Sequence, residues 1–80
     1  MKTYRIKHKV QAVQWTGENF GDIQLWVPVR QFDGELNIWL IPDENAMQRV
    51  EIGDWIVRDG NDAVWTCEQS AFEQNYEPAD

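Results

Sequence analysis

Two side chains in this sequence belong to the types that make a nucleophile and its base, Cys67 and His8. Thiol catalysis needs the imidazole within hydrogen-bond reach of the sulfur and a third group that orients the ring, and nothing in their spacing supplies either. Alternation instead places Cys67 on the face of Trp65 and Ala63, where a free cysteine behaves as a small, inert hydrophobe. His8 shares the parity of Tyr4 and Ile6 and is expected at the edge of the core, hydrogen-bonded to a neighbour. The sharper alternative, a pH switch, needs only the ordinary titration of one imidazole. One cysteine and one histidine cannot provide the three or four soft ligands of a structural zinc site, and a lone cysteine excludes an intrachain disulfide. The expectation is a protein with no catalytic residue, no metal and no cofactor.

The other chemically capable residues are carboxylates, fourteen of them against seven lysines and arginines, for a formal charge of −7. Paired acids that run glycoside or proton chemistry need a cleft that raises one pKa, and a chain of 80 residues with an aromatic core has little room for one. The charge is also unevenly placed. Lys2, Arg5, Lys7 and Lys9 precede every acid, and the rest of the chain holds three basic side chains against all fourteen acidic ones. Most of the surface should therefore repel nucleic acid, and Arg5, Lys7 and Lys9 form the one candidate basic patch. Asp43, Glu44, Glu51, Asp54, Asp59 and Asp62, with Trp55 and Trp65 beside them, form the candidate interaction surface. The plain alternative is a solvated acidic skin that keeps the protein soluble. Gly53-Asp54-Trp55 has a similar pair of readings, a ligand-binding loop or a tight turn in which Gly53 supplies an unusual φ, Asp54 bonds the backbone two residues on and Trp55 enters the core; the turn is the more economical.

Positioning these residues is the task of one domain, residues 1–80, since a second core would need roughly 50 residues of its own. Five tryptophans, three phenylalanines and two tyrosines are expected to do the work of cross-links, each indole burying on the order of 150–250 Å² if fully enclosed. No run approaches the 18 or more apolar residues of a membrane span, and the start lacks the apolar block of a signal peptide. With a single free cysteine, this reads as a cytoplasmic protein.

The predicted fold is α+β, a mainly antiparallel sheet of four or five strands with a helix at about 19–27 on one face and a short helix at about 70–75 closing an edge. Tyr4, Ile6, His8 and Val10 alternate as a strand, and Val13 and Trp15 continue it on the other parity, which a bulge near Gln11 or Ala12 would reconcile. Asn19 is placed as a helix cap, with Phe20, Ile23, Trp26 and Val27 at helical spacing and Pro28 as the stop. Leu36 to Ile41 is apolar on both parities, as in a strand covered on both faces. Pro42 to Asn45 reads as a turn and Gln48 to Ile52 as the returning strand. Gly53-Asp54 then separates Trp55–Arg58, and Asp59-Gly60-Asn61-Asp62 turns the chain into Ala63–Cys67. These central strands are expected as one meander. Ser70 and Glu73 have the spacing of a capping box, with Phe72 and Tyr76 one turn apart.

Three segments carry a family resemblance: Met1-Lys2-Thr3-Tyr4-Arg5, Ala12-Val13-Gln14-Trp15-Thr16-Gly17, and Gly53-Asp54-Trp55-Ile56, followed by Cys67, Phe72, Tyr76 and Glu77. With them the chain resembles a family of small proteins encoded by tailed bacteriophages and prophages. Relatives often have proline where Ile52 stands and a Gly-Glu-aromatic step at Asp62-Ala63-Val64. The resemblance implies a setting, the infected bacterial cell, and assigns no catalytic or binding residue.

Together these features lead to a non-enzymatic phage accessory protein that binds a host protein through an acidic, tryptophan-bearing surface, with inhibition of a nucleic-acid-handling or defence enzyme as the natural outcome. No direct contact with nucleic acid or membrane is expected, and homo-oligomerisation is open. Two alternatives belong to other classes. One is a nucleotide-sequestering protein with a basic, aromatic-lined pocket set between subunits and built from Arg5, Lys7, Arg49 or Arg58 with an indole for stacking; the other is a virion or assembly component.

Overall fold

The computed structural model describes the backbone of residues 2–5 and 9–78 and the side chains of residues 10–76. Its elements run β1 (Lys2–Arg5), β2 (Lys9–Gln14), α1 (Phe20–Gln24), β3 (Val29–Arg30), β4 (Ile38–Asp43), β5 (Ala46–Val50), β6 (Trp55–Arg58), β7 (Val64–Cys67), α2 (Gln69–Asn75) and β8 (Glu77–Pro78). The strands form a five-stranded sheet in the order β7-β6-β2-β1-β8 and a three-stranded sheet in the order β3-β4-β5. Every pairing is antiparallel. The fold is thus the α+β, mainly antiparallel class that the sequence predicts, divided between two sheets.

The β2, β6 and β7 strands of the large sheet are packed on both sides. On β2 and β6 the register pairs Ala12 with Val57 and Val13 with Ile56, and neighbouring positions on a strand face opposite ways. Val10, Ala12 and Val57 pack with Phe72 of α2, joined by Trp55, Trp65, Cys67 and Tyr76. Val13, Ile56 and Val64 instead join Trp15, Ile23, Val27, Ile38, Leu40 and Val50, the core shared with α1 and the small sheet. The molecule is three layers deep: the small sheet with α1, the large sheet, and α2.

This layering corrects several sequence-based expectations. The parity change between Val10 and Val13 comes from a strand covered on both faces, with no bulge needed. The N-terminal segment is two antiparallel strands, with Arg5 opposite Lys9; Ile6 and His8, placed on a single strand by alternation, lie outside the described residues. The central meander is split, because β4 and β5 belong to one sheet and β6 and β7 to the other. Gly53, at φ +101°, makes the break. Its N–H donates to the Trp15 carbonyl at 2.8 Å, the Trp15 N–H donates to the Asp54 carbonyl at 2.9 Å, and Gln14 Nε2 donates to the Gly53 carbonyl at 2.9 Å. The turn is bolted to the end of β2 and cannot continue β5.

The helices are also built differently from expectation. α1 covers Phe20–Gln24, shorter than 19–27, because the chain turns at Leu25 and Trp26 to reach β3. Asn19 flanks α1 without capping it through its side chain. Its Oδ1 accepts from the Thr16 N–H at 3.0 Å and its Nδ2 donates to the Gln14 carbonyl at 2.8 Å, so it ties the loop to β2. α2 begins one residue before the expected 70–75, after Glu68, and has no side-chain cap. Ser70 therefore lies inside the helix and no capping box forms. α2 lies across a face of the large sheet instead of closing an edge. β4 runs on through Pro42 to Asp43, which confines the turn to Glu44 and Asn45, and β5 starts at Ala46 and ends before Ile52.

Indoles contribute less to the interior than their number suggests. Trp15 is the one tryptophan fully buried, and the core is otherwise chiefly aliphatic. Trp26, Trp39, Trp55 and Trp65 are half-buried; Trp26 packs at the rim of one cluster and Trp55 and Trp65 at the rim of the other.

Candidate interaction surface

Three of the six acids singled out from the sequence shape the backbone of their own turns. Asp43 Oδ1 accepts from the Asn45 N–H at 2.7 Å. Asp59 Oδ1 accepts from the Asn61 N–H at 2.9 Å and the Ala63 N–H at 3.0 Å. Asp54 Oδ2 accepts from the Glu51 N–H at 3.0 Å, three residues back along the chain and not ahead of it as the tight-turn reading supposed. Such bonds fix reversals that the backbone could not hold alone. Asp62, at φ +64°, and Glu51 are paired with Arg58 and Arg49, each at 2.7 Å. The Arg58 guanidinium also reaches the Trp26 carbonyl at 3.2 Å through Nη1, tying the β6–β7 turn to the chain after α1.

The fold brings some of these groups together and leaves others apart. Glu51 and Asp54 meet Glu68, Gln69, Ser70 and Glu73 of the α2 segment around an open trough of about 370 Å³. Asp43 and Glu44 stand at the β4–β5 turn, and Asp59 and Asp62 at the β6–β7 turn, outside that trough. Glu68 and Glu73 are the members that sequence reading missed. They are five positions apart on and before a helix, and only the docking of α2 beside the Gly53 turn makes them neighbours of Glu51 and Asp54. Trp55 and Trp65 are not displayed as flat exposed rings. Trp55 stacks on Phe72 with centroids 4.1 Å apart and Phe72 on Tyr76 at 4.8 Å, while Trp65 packs in the same cluster.

Burial pushes the Cys67 thiol above its ordinary range, and the negative charges of Asp54 and Glu68 push it further the same way. The sulfur therefore holds its proton at neutral pH, the opposite of what a thiolate nucleophile requires. Among the described residues no three His, Cys, Asp or Glu side chains gather where a metal ion could be held, and no helix is long and apolar enough to cross a membrane. Of the basic groups, Arg5 and Lys9 are opposite one another in the β1–β2 register; Lys7, and the side chains of Arg5 and Lys9, lie outside the described residues. Arg49 and Arg58, offered as parts of a nucleotide pocket, sit on different sheets, each beside its own carboxylate.

Comparison of the chain with models of known families, with curated proteins and with solved structures gave no match.

Proposed function

We propose that this protein acts by contact and not by turnover, as an acidic module that occupies a cationic surface of a host protein in a phage-infected bacterial cell. One observation carries the reading. Residues 10–76 hold twelve carboxylates and three arginines, two of those arginines are spent on adjacent acids, and four of the carboxylates converge on a single open trough. Neutralising one or two trough acids from within is what a structural cluster does; leaving Glu68 and Glu73 at its wall gives a negative surface that a basic partner can fill. Enzymes that handle nucleic acid present such partners, because their channels are lined to hold phosphates. Opposed charge fields of this kind accelerate encounter and select the partner. The resemblance to small phage proteins supports the setting, with inhibition of a nucleic-acid-handling or defence enzyme as the consequence.

The test uses a purified candidate host enzyme with a basic channel and a protein carrying Glu68→Lys and Glu73→Lys. Binding by the unmodified protein should weaken as salt rises, because exposed charges are screened over roughly 10 Å at 0.1 M ionic strength, and the double variant should bind at least tenfold more weakly. Binding that is indifferent both to salt and to these two substitutions would remove the trough from the account.

A further inference from the structure

The outer face of the small sheet is patterned for burial and is covered only in part by the described residues: Trp39 and Ile41 are half-buried, and Phe32 and Met47 are exposed. Along β4, Ile38 and Leu40 point into the core and are fully buried, so Trp39 and Ile41 occupy the opposite face. The register sets Arg30 and Arg49 on either side of Trp39, and antiparallel partners share a face. Met47 belongs to the same face by alternation with Val50 and Gln48, and is 51% exposed; Phe32, just past β3, is 45% exposed. Arg30, Phe32, Ile41, Glu44 and Met47 line a depression of about 440 Å³.

We infer that this face is a self-association surface, and that its occupant is a second copy of the chain related by a two-fold axis through the depression. Two observations select that occupant. First, the apolar floor formed by Phe32, Ile41 and Met47 carries one cation and one anion, Arg30 and Glu44. Neither side chain has a hydrogen bond or ion pair among the described residues. A two-fold contact sets residue i against j and j against i, so Arg30 of each copy meets Glu44 of the other and both are satisfied at once. Second, an acidic chain can approach its own copy only where repulsion is least. Arg30, the one arginine of residues 10–76 not paired with an acid among the described residues, lies on this face, with Arg49 beside it neutralising Glu51, whereas the trough that serves the proposed partner lies at the turn before β6 and at α2, with no lining residue in common with the depression. The two surfaces are separate, so a dimer would display two acidic troughs.

Sedimentation equilibrium of the full chain tests the inference. The unmodified protein should dimerise with a dissociation constant in the micromolar range, as expected for a small interface. Arg30→Glu and Glu44→Arg, each of which leaves two like charges facing, should weaken the dimer at least tenfold, and the double exchange Arg30→Glu/Glu44→Arg should restore it to within about threefold. Met47→Glu should abolish it. Circular dichroism identical to that of the parent certifies that each variant is folded. A protein that stays monomeric to about 1 mM, or a dimer indifferent to Arg30→Glu, or one that the double exchange fails to restore, overturns the inference. Loss of the dimer leaves the trough intact, so failure here is distinguishable from failure of the host-protein reading.

Discussion

Replacing Phe72 with alanine should remove the fastening of α2 and with it much of the stability of the protein. Phe72 is 2% exposed, the one buried residue of a seven-residue helix. Its ring lies between those of Trp55 and Tyr76, nearly parallel to both at 8° and 15°. A helix this short has no standing of its own in water, since isolated helices under about 12–15 residues are marginal. Truncating a buried phenylalanine to alanine costs about 3–5 kcal/mol, through lost transfer energy and the space left behind. Within that, each aromatic contact contributes about 0.5–1.5 kcal/mol beyond area. A domain of this length has a total stability of about 4–12 kcal/mol, so the substitution consumes a large part of it. Phe72→Leu separates the terms: it keeps most of the volume, loses both stacks, and should cost about 1–3 kcal/mol. Urea unfolding followed by far-ultraviolet circular dichroism measures both, with a similar denaturant slope confirming a comparable transition. A cost below about 1 kcal/mol for Phe72→Ala, with helical signal retained, would show that α2 is held by something other than this ring.

Trp15→Phe should cost about 1–3 kcal/mol, because the buried indole also donates from Nε1 to the Leu36 carbonyl at 3.0 Å, while the same change at half-buried Trp26 should cost less than about 1 kcal/mol; thermal unfolding compares the two. Gly53→Ala should lose at least about 1 kcal/mol in the same assay, since φ is +101° and a Cβ would come within 3.2 Å of Gln69 Oε1. Cys67 should react with a disulfide reagent at pH 7 far more slowly than the same thiol in urea, and its rate should climb only above the ordinary thiol pKa. The folded thiol keeps its proton to higher pH than the unfolded one, so stability should also fall as pH rises through the ordinary thiol range; a thiolate already formed at neutral pH would contradict this. Tryptophan fluorescence should not respond to nucleoside triphosphates; a saturable quench would favour the sequestering alternative.

The local grammar of the sequence was readable wherever turn chemistry was explicit. Asp59-Gly60-Asn61-Asp62 does join β6 to β7, and the hairpin of β4 and β5 is present within two residues of its expected bounds. The reversal between β1 and β2 escaped because Tyr4 and Val10, partners in the antiparallel register, share the parity of a single continuous strand. Two-sided burial of β2 was hidden for a related reason: a strand facing two cores alternates between them, and its pattern looks like one amphipathic strand that slips phase. β3 and β8, two residues each, are too short to carry a period. Of the four acids at the trough, Glu51 and Asp54 were legible beside the Gly53 turn and Glu68 and Glu73 were not. Which carboxylates converge depends on where α2 docks, and that is a property of Phe72 packing on Trp55, not of the spacing of the acids. The Leu36–Ile41 pattern, apolar on both parities, promised a second cover that the described residues provide only in part, leaving Trp39 and Ile41 half-buried.

Among the described residues the large sheet is covered unequally, with three strands and α1 on one side and a single seven-residue helix on the other. Local opening should therefore start from the α2 side, wetting Trp65 and Cys67 while Trp15 stays dry, so that exchange of amide hydrogens in β7 outpaces exchange near Ile38. Since Glu68 and Glu73 leave with α2, the trough exists only while that side is shut. Whatever occupies it would slow the opening and shield the thiol behind it.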